Sequence, residues 1–120
     1  VFQAKRIFNM LLRYYSGVHV CFFGHTHQQY VWASDPRGKV FYPANGCSSL
    51  SLEADHHYLI NPGSVGQPRQ KDNRARYLVC DTEQEIVWFR AVAYDIRKAQ
   101  EKIRKAKLPE YLALRLQEGI

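Results

Sequence analysis

The feature that most constrains the fold is a short apolar run at residues 18–23, Val-His-Val-Cys-Phe-Phe, which ends at Gly24. A run of this length bounded by a glycine predicts a buried β-strand. His25 and His27 follow it directly, with one threonine between them. Because residues i and i+2 of an extended backbone point to the same side, both rings are expected on one side of the strand's carboxyl end. That edge of a sheet is where α/β proteins tend to bind ligands.

The two histidines are predicted to bind metal. Neutral imidazole is the commonest protein ligand of transition metals. A pair with this spacing can hold one ion, or be divided between two ions held roughly 3.5–4 Å apart. The alternative is that His-x-His arises by chance, in which case an exposed pair after a strand has no role. The apolar strand and the glycine before His25 favour the metal-binding interpretation.

Helices are predicted at both ends of the chain. The apolar spacing of the first fifteen residues indicates a helix. Its expected buried stripe consists of Ile7, Met10, Leu11 and Tyr14, widened by Phe8, Leu12 and Tyr15. Near the other end, Asp95 is the predicted N-cap of a second helix, and Pro109 the first-turn residue of a third. The expected buried face of that third helix consists of Leu108, Leu112 and Leu116.

The middle of the chain is predicted to form strands. Residues 28–33 and 39–42 read as one hairpin around an Asp-Pro-Arg-Gly turn, and residues 75–81 and 85–92 as another. A short strand is predicted at residues 58–60. These elements indicate an α+β fold with a helix-flanked, mixed or mostly antiparallel sheet in a single domain over residues 1–120.

The segment at residues 61–69 contains two prolines and two glycines, which predicts a defined loop rather than a helix or strand. Its glycines can serve the loop's backbone alone. Alternatively, amides next to the glycines can point at a phosphate, and Arg69 can pair with that phosphate bidentately. Arg69 is therefore the predicted substrate-binding residue of the segment.

The other histidines receive structural interpretations. His56 and His57 are adjacent, so their side chains point to opposite faces of an extended chain, and at most one could join a site shared with His25 and His27. Surface or structural roles are favoured for both, and for Asp55. His19 is interpreted as a core or strand-edge histidine.

The charge and the cysteines limit the other functional classes. The formal net charge is +6, much of it in one helical stretch near the carboxyl end. Such a run favours a solvated face, and the alternatives are steering of an anionic substrate or weak nucleic-acid contact. Cys21 and Cys80 are interpreted as core residues and Cys47 as a loop thiol, so a disulfide framework is not expected and a cytoplasmic location is favoured. No apolar run is long enough for a membrane span.

Three segments together resemble one family. Gly24-His25-Thr26-His27 at a strand end is similar to the last ligand motif of the calcineurin-like metallophosphoesterases. The Asn-Pro-Gly-Ser segment within residues 60–69 and the carboxyl-terminal stretch at residues 94–119 resemble the small bacterial and archaeal branch of that family, which includes phosphodiesterases and diadenosine tetraphosphatase-like enzymes.

The resemblance implies a function and a fold. It implies a four-layer αββα sandwich of which this chain forms the carboxyl-terminal half. It also implies hydrolysis of a phosphate ester, with nucleotides among the candidate substrates, at a centre of two divalent ions (Mn, Fe, Ni or Zn). By the resemblance, His25 binds one ion, His27 binds the other, and Arg69 contacts the substrate.

The resemblance also indicates what these residues lack. The family's Asp-x-His, Gly-Asp-x-x-Asp and Gly-Asn-His motifs do not occur before the Gly-His-Thr-His motif in the chain. The chain alone is therefore expected to bind metal weakly, to contain no complete catalytic set, and either to self-associate or to pair with a missing amino-terminal half. Two alternatives remain open: a non-catalytic scaffold or binding module of the same fold, and a small nucleic-acid-binding protein.

Overall fold

The computed structural model describes residues 2–15, 17–43 and 48–120. The helices are α1 (Phe2–Tyr14), α2 (Ile96–Lys105) and α3 (Glu110–Glu118). The strands are β1 (Val20–Phe22), β2 (Gln29–Ser34), β3 (Val40–Phe41), β4 (Ser49–Ser51), β5 (His57–Pro62), β6 (Ala75–Asp81) and β7 (Ile86–Val92). Cys47, predicted as a loop thiol, lies outside the described residues, whereas Cys21 and Cys80 are half-buried free thiols that pack against the core.

The strands form two sheets. The first is mixed and has the order β1-β5-β2-β3, in which β1 runs parallel to β5 and the other pairs are antiparallel. The second is antiparallel, with the order β4-β7-β6. Both predicted hairpins are confirmed: β2 and β3 flank the turn at residues 35–38, where Asp35 accepts the amides of Arg37 and Lys39, and β6 pairs with β7 along its whole length.

The two sheets face each other across one apolar core. Alternate residues of the central strands β2 and β5 point into it, and β7 contributes from the other sheet. The buried members of this core are Val31, Ala33, Tyr58, Ile60 and Val87. The opposite face of the mixed sheet is covered by α1, through contacts of Ala4, Phe8 and Leu11 with Leu59. The central strands are thus apolar on both faces, because both faces are covered.

The phase of the helix α1 differs from the prediction. The buried stripe is Ala4, Phe8 and Leu11, of which Phe8 and Leu11 were predicted. The other predicted members are exposed: Ile7, Met10, Leu12, Tyr14 and Tyr15. The two stripes have the same helical spacing, but an apolar residue on nearly every side of the helix left its orientation undetermined from sequence. The sheet buries the face that carries a small residue at Ala4, where the backbone can approach closely.

The carboxyl-terminal helices pack on each other as a hairpin. Asp95 caps α2 as predicted, by accepting a hydrogen bond from the amide of Lys98. Pro109 is the N-cap residue of α3 rather than its first residue. Leu108 is exposed, which corrects its predicted burial, because it lies in the turn between the helices. Ala113 and Leu116 are the buried residues of α3.

Two strand predictions also require correction. The strand predicted at residues 18–23 spans only three residues in β1, and Phe22 is 47% exposed, because β1 lies at a sheet edge. The strand predicted at residues 58–60 is longer: β5 begins at His57 and includes Asn61 and Pro62, which were assigned to the loop. The predicted α+β class with a mixed sheet is confirmed. Within the described residues every helix is too short or too polar to cross a membrane.

Candidate functional site

The histidine turn, residues 24–27, follows the carboxyl end of β1. The amide of Phe23 still donates to the carbonyl of Ile60 in β5 (3.0 Å), and the chain then leaves the sheet. His25 is exposed and His27 is half-buried. Both have left-handed backbone conformations, with φ of 77° and 60° respectively. The prediction that an extended backbone would align the two rings is therefore wrong about the backbone, and the turn itself sets their directions.

The left-handed conformation of both histidines is informative. It costs an L-residue roughly 1–2 kcal/mol relative to the right-handed region. Six described non-glycine residues have positive φ, and His25 and His27 are two of them within three positions. Strained backbone of this kind concentrates at active sites and ligand clamps, where the surrounding contacts hold it.

One contact fixes the ring of His27. Its Nδ1 atom lies 3.1 Å from the carbonyl oxygen of Gln67, forty residues further along the chain. Gln67 is in turn held by its own amide, which donates to the hydroxyl of Ser64 (3.0 Å). A backbone carbonyl on one ring nitrogen is the arrangement that typically orients a metal-binding histidine and leaves the other nitrogen available.

Asn61 holds the turn from beneath. Its side chain is completely buried, at 0% exposure, at the end of β5. Its Nδ2 atom donates to the carbonyl of Gly24 (3.2 Å) and to the hydroxyl of Thr26 (3.0 Å). Its Oδ1 atom accepts the amide of Gly63 (3.0 Å). One carboxamide therefore joins the histidine turn to the Asn-Pro-Gly-Ser segment.

Arg69 lies beside the same contacts. Its Nη2 atom donates to the side-chain oxygen of Gln67 (3.2 Å). Its Nε atom is buried and has no hydrogen-bond partner among the described residues. Gln67 therefore contacts both predicted site residues, His27 through its carbonyl and Arg69 through its side chain. The guanidinium retains donors for an anion.

A second network, of hydrogen bonds around Arg76, lies against the loop at residues 63–69. Arg76 donates to the side chains of Gln29 (3.1 Å) and Asp72 (2.7 Å), and Gly63 lies against its Cβ. The hydrogen bonds that Asp72 accepts from Arg74, and a further one from Arg76, hold the pKa of its carboxyl well below the usual range. Asp72 therefore stays ionised and keeps Arg76 in place.

A cavity of about 400 Å³ begins next to the histidine turn. It lies between the start of α1 and the neighbouring strands, and Gln28, the residue after His27, is part of its wall. Three aromatic and three carboxamide side chains line it: Tyr30, Trp32, Tyr42, Gln3, Gln28 and Gln70. The rings of Trp32 and Tyr42 are tilted by 33° relative to each other, with their centroids 3.6 Å apart.

A second group of ionisable residues lies near the amino ends of the parallel strands β1 and β5, away from the histidine turn. This carboxylate–histidine cluster consists of Glu53, Asp55 and His56, whose nearest oxygen and nitrogen atoms all lie within 4.8 Å of one another. The Nδ1 atom of His56 is 2.6 Å from Asp55 and 3.5 Å from Glu53. Glu53 and Asp55 are exposed, and a cluster of this kind is a candidate metal group as well as an ordinary surface ion pair.

His19 and His57 lie beside this cluster and not beside the histidine turn. Their rings are stacked, with centroids 5.0 Å apart. Burial lowers the pKa of His57, and the neighbouring His19 and His56 lower it further. The structure thus separates the histidines into two groups, with His19, His56 and His57 at one end of the strands and His25 and His27 at the other.

The donor set at the histidine turn fits a divalent transition ion. It offers two imidazoles, one oriented by a carbonyl, at the exposed end of a sheet. Sequence reasoning missed Asn61 and Gln67, which hold this turn. The detectable signal for Asn61 was a polar residue directly after the apolar run 58–60, whereas Gln67 acts through its backbone and its residue type carries no such signal.

The chain matches known proteins over most of its length. The model of the calcineurin-like phosphoesterase superfamily domain matches residues 4–85. The uncharacterized protein MJ0912 of Methanocaldococcus jannaschii is 41% identical over 100 residues, which is 79% of this chain and 37% of that protein. This chain therefore spans less than two fifths of that curated relative.

Solved structures give the same result. A metallophosphoesterase from Sphaerobacter thermophilus superposes with a TM-score of 0.69 at 36% identity, covering 85% of this chain and 42% of that one. The hypothetical protein PH1004 from Pyrococcus horikoshii shares the fold, with a TM-score of 0.62 at 18% identity, covering 97% of this chain and 38% of that one. The chain belongs to the calcineurin-like phosphoesterase superfamily.

Proposed function

We propose that this chain supplies part of the dinuclear metal site of a phosphoesterase, with His25 bound to one divalent ion and His27 to the other. The observation that carries the proposal is the His27 ring, oriented by the Gln67 carbonyl at the end of a sheet. Membership of the family implies divalent metal use and a phosphate-ester substrate. Imidazole ligands favour Fe, Ni or Zn over Mg or Ca, and Mn is a further candidate that the resemblance to the family implies.

Different residues of the chain have different roles in this proposed reaction. When bound, divalent ions supply Lewis acidity and lower the pKa of water to near neutrality. His25 and His27 hold the ions at fixed positions. Arg69 pairs with a phosphate oxygen through the guanidinium donors that the protein leaves free, and Gln67 keeps that guanidinium beside His27. Such a clamp positions the ester and stabilises its developing charge.

The aromatic cavity supports a nucleotide as the substrate. Aromatic rings such as Tyr30 and Tyr42 stack on bases, and carboxamides hydrogen-bond to base edges. Gln28, which lines the cavity, is the residue after His27, so the proposed base site lies next to the histidine turn in the chain. Adenosine, which has no phosphate, is expected to shift the indole NMR signal of Trp32 and leave that of Trp88 unchanged. Ribose 5-phosphate, which has no base, is expected to leave both unchanged, and equal effects of the two ligands would contradict the base site.

The chain is proposed to act as one domain together with a segment that carries the remaining ligands. Catalytic metal sites usually have at least three protein ligands and an open position. The exposed edge strand β1, with Phe22 on it, is suited to pairing with that segment or with a second copy. By itself the 120-residue chain is expected to hydrolyse no phosphodiester in the presence of Mn²⁺, and turnover at ordinary enzymatic rates would show that the set is complete. A cytoplasmic location is proposed.

A manganese titration followed by NMR tests the metal site. Mn²⁺ broadens signals near the place where it binds, even when binding is weak. We expect the imidazole signals of His25 and His27 to broaden first, and His27→Ala to abolish this effect. His57→Ala, in the other histidine group, is the matched control and is expected to change nothing. Broadening that begins at His56 would place the ion in the carboxylate–histidine cluster and overturn the proposal.

The second candidate function is a scaffold or binding module of the same fold without catalysis. Retention of two histidines in left-handed conformations, held by a buried asparagine, favours the enzyme, because a scaffold has no need of this strained turn. The third candidate, nucleic-acid binding, draws on the basic residues of α2, which are exposed and partly paired, as in the contact of Arg104 with Glu110. Salt-dependent binding without sequence preference would be its mark.

A further inference from the structure

We infer that Asn61 is a positioning residue for the metal site, and that with Gln67 it fixes both the histidine turn and the tautomer of His27. The inference rests on the proposed function, because it assigns roles in metal binding to two residues that touch no ion. It goes beyond that function by naming residues 61–67, the end of β5 and the loop after it, as the part of the chain that makes the two histidines competent.

Asn61 is a polar residue buried at the end of an apolar strand. The three preceding residues of β5, Tyr58 to Ile60, are buried and apolar, and Asn61 continues this run with no exposed surface. A buried carboxamide is unfavourable unless its donors and acceptor are bonded. Asn61 uses all of these groups: both donors bond to the histidine turn and the oxygen to Gly63. An apolar residue would serve the core equally well, so the polar contacts explain this side chain.

The two hydrogen bonds that Asn61 donates fall on either side of His25 in the chain. The Gly24 carbonyl belongs to the peptide unit directly before His25, and Thr26 lies between the two histidines. Asn61 therefore holds the turn at points that alternate with the residues in left-handed conformations. These are the contacts that keep the strained backbone from relaxing, which would move both rings.

The contact with the Gln67 carbonyl decides which ring nitrogen of His27 carries the proton. A carbonyl oxygen only accepts hydrogen bonds, so the Nδ1 atom facing Gln67 must carry the hydrogen. In the neutral ring the lone pair is then on Nε2. The structure thus assigns Nε2 of His27 as the metal-binding atom. Because the Gln67 amide is anchored on Ser64, the carbonyl is fixed before any ion binds.

The tautomer is tested directly, in the 120-residue chain and without metal. Nitrogen-15 NMR at a pH where the imidazoles are neutral distinguishes a protonated Nδ1 from a protonated Nε2. We expect His27 to show the Nδ1–H form almost exclusively, with a hydrogen-bonded proton. The Nε2–H form, which prevails in free histidine, would overturn the assignment. This readout does not depend on activity and does not follow from a merely structural role of the loop.

The positioning role of Asn61 is tested by paired variants in the manganese titration. Thr26→Val removes the hydroxyl that Asn61 bonds and keeps the shape of the side chain, and Thr26→Ser restores the hydroxyl. We expect Asn61→Ala and Thr26→Val to weaken Mn²⁺ binding at His25 and His27 by about 10–100-fold, the usual effect of losing an outer-shell partner. Thr26→Ser is expected to remain close to the unmodified chain.

Asn73→Ala is the matched control, since it deletes another carboxamide that donates to a backbone carbonyl, that of Gln117, away from the turn. We expect it to bind Mn²⁺ like the unmodified chain. If Asn61→Ala does not fold, Thr26→Val decides. Unchanged Mn²⁺ affinity in folded Thr26→Val would overturn the inference while the proposed function stands. Absence of Mn²⁺ effects at His25 and His27 in the unmodified chain would instead overturn the proposed function.

Discussion

The two ends of the β1–β5 pair carry two groups of histidines that are held in different ways. At the carboxyl end, His27 bonds to a backbone carbonyl forty residues away, and the turn around it is anchored by a buried asparagine. At the amino end, His56 contacts the carboxylates of Asp55 and Glu53, one and three positions before it. The first arrangement needs the tertiary fold, whereas the second can form from neighbouring residues alone.

The difference shows how a structure distinguishes candidate ligands that a sequence cannot. The carboxylates of Asp55 and Glu53 are exposed, and a surface contact of this kind has a small net effect on stability. A carbonyl partner fixes the tautomer of the neutral ring and leaves one nitrogen for a ligand. The amino end has more histidines, but the carboxyl end has the arrangement that the proposed metal chemistry requires.

The largest effect is expected from adding a methyl group at Gly63, at the carboxyl end. Gly63 has φ of 88°, and a Cβ atom there would lie 2.8 Å from the Cβ of Arg76 and 3.2 Å from that of Gln29. Left-handed strain and overpacking together are expected to lower the free energy of unfolding of Gly63→Ala by about 2–4 kcal/mol. Urea denaturation followed by circular dichroism measures this change.

Gly38→Ala is the matched control for that variant. Gly38 also has positive φ, at 75°, but a Cβ atom there would meet no atom of the described residues within 4 Å. It lies in the turn after Ser34, which pairs with His57, so it belongs to the amino end of the β1–β5 pair. Strain alone is expected to lower its free energy of unfolding by about 1 kcal/mol. Equal losses in the two variants would mean that the loop behind the histidine turn is not closely packed.

A smaller effect is expected at the amino end from Tyr58→Phe. The buried hydroxyl of Tyr58 accepts the amide of Glu53 (2.9 Å), and this bond holds the segment that carries the carboxylate–histidine cluster. Its loss is expected to lower the free energy of unfolding by about 1 kcal/mol. The Mn²⁺ titration of His25 and His27 is expected to remain unchanged, because the two ends are held by separate contacts. A change there would contradict their independence.

Much of the fold could be predicted from sequence because it depends on local patterns. The β6–β7 hairpin alternates along its length, the turn after Ser34 contains Asp, Pro and Gly, and Asp95 lies before a helical stripe. The phase of α1 could not be predicted, since apolar residues such as Ile7 and Met10 occupy more than one side of the helix. Only the sheet beneath it selects the face that is buried.

The candidate site was predictable in composition but not in conformation. His25, His27 and Arg69 could be named from their motifs, and their roles stay predictions. The left-handed backbone of the histidines could not be foreseen, because it depends on hydrogen bonds from Asn61, which is 34 or more positions away in the chain. The backbone was expected to stay extended after β1, but it leaves that conformation where these tertiary contacts begin.

The smallest expected effect is a pH dependence at the amino end. Burial, and then repulsion from His19 and His56, lowers the pKa of His57 below the ordinary value of 6.5. Between the two pKa values the unfolded chain binds more protons at this residue than the folded chain, so stability rises with pH there. The contribution of His57 is therefore complete above pH 6.5 and is lost as the pH falls. We expect urea denaturation at pH 5.5 and pH 8 to show a smaller difference in His57→Gln than in the unmodified chain. His27→Gln, at the carboxyl end, is the comparison variant. If His27→Gln changed the pH dependence of stability more than His57→Gln does, the assignment of the titrating group to the amino end would be wrong.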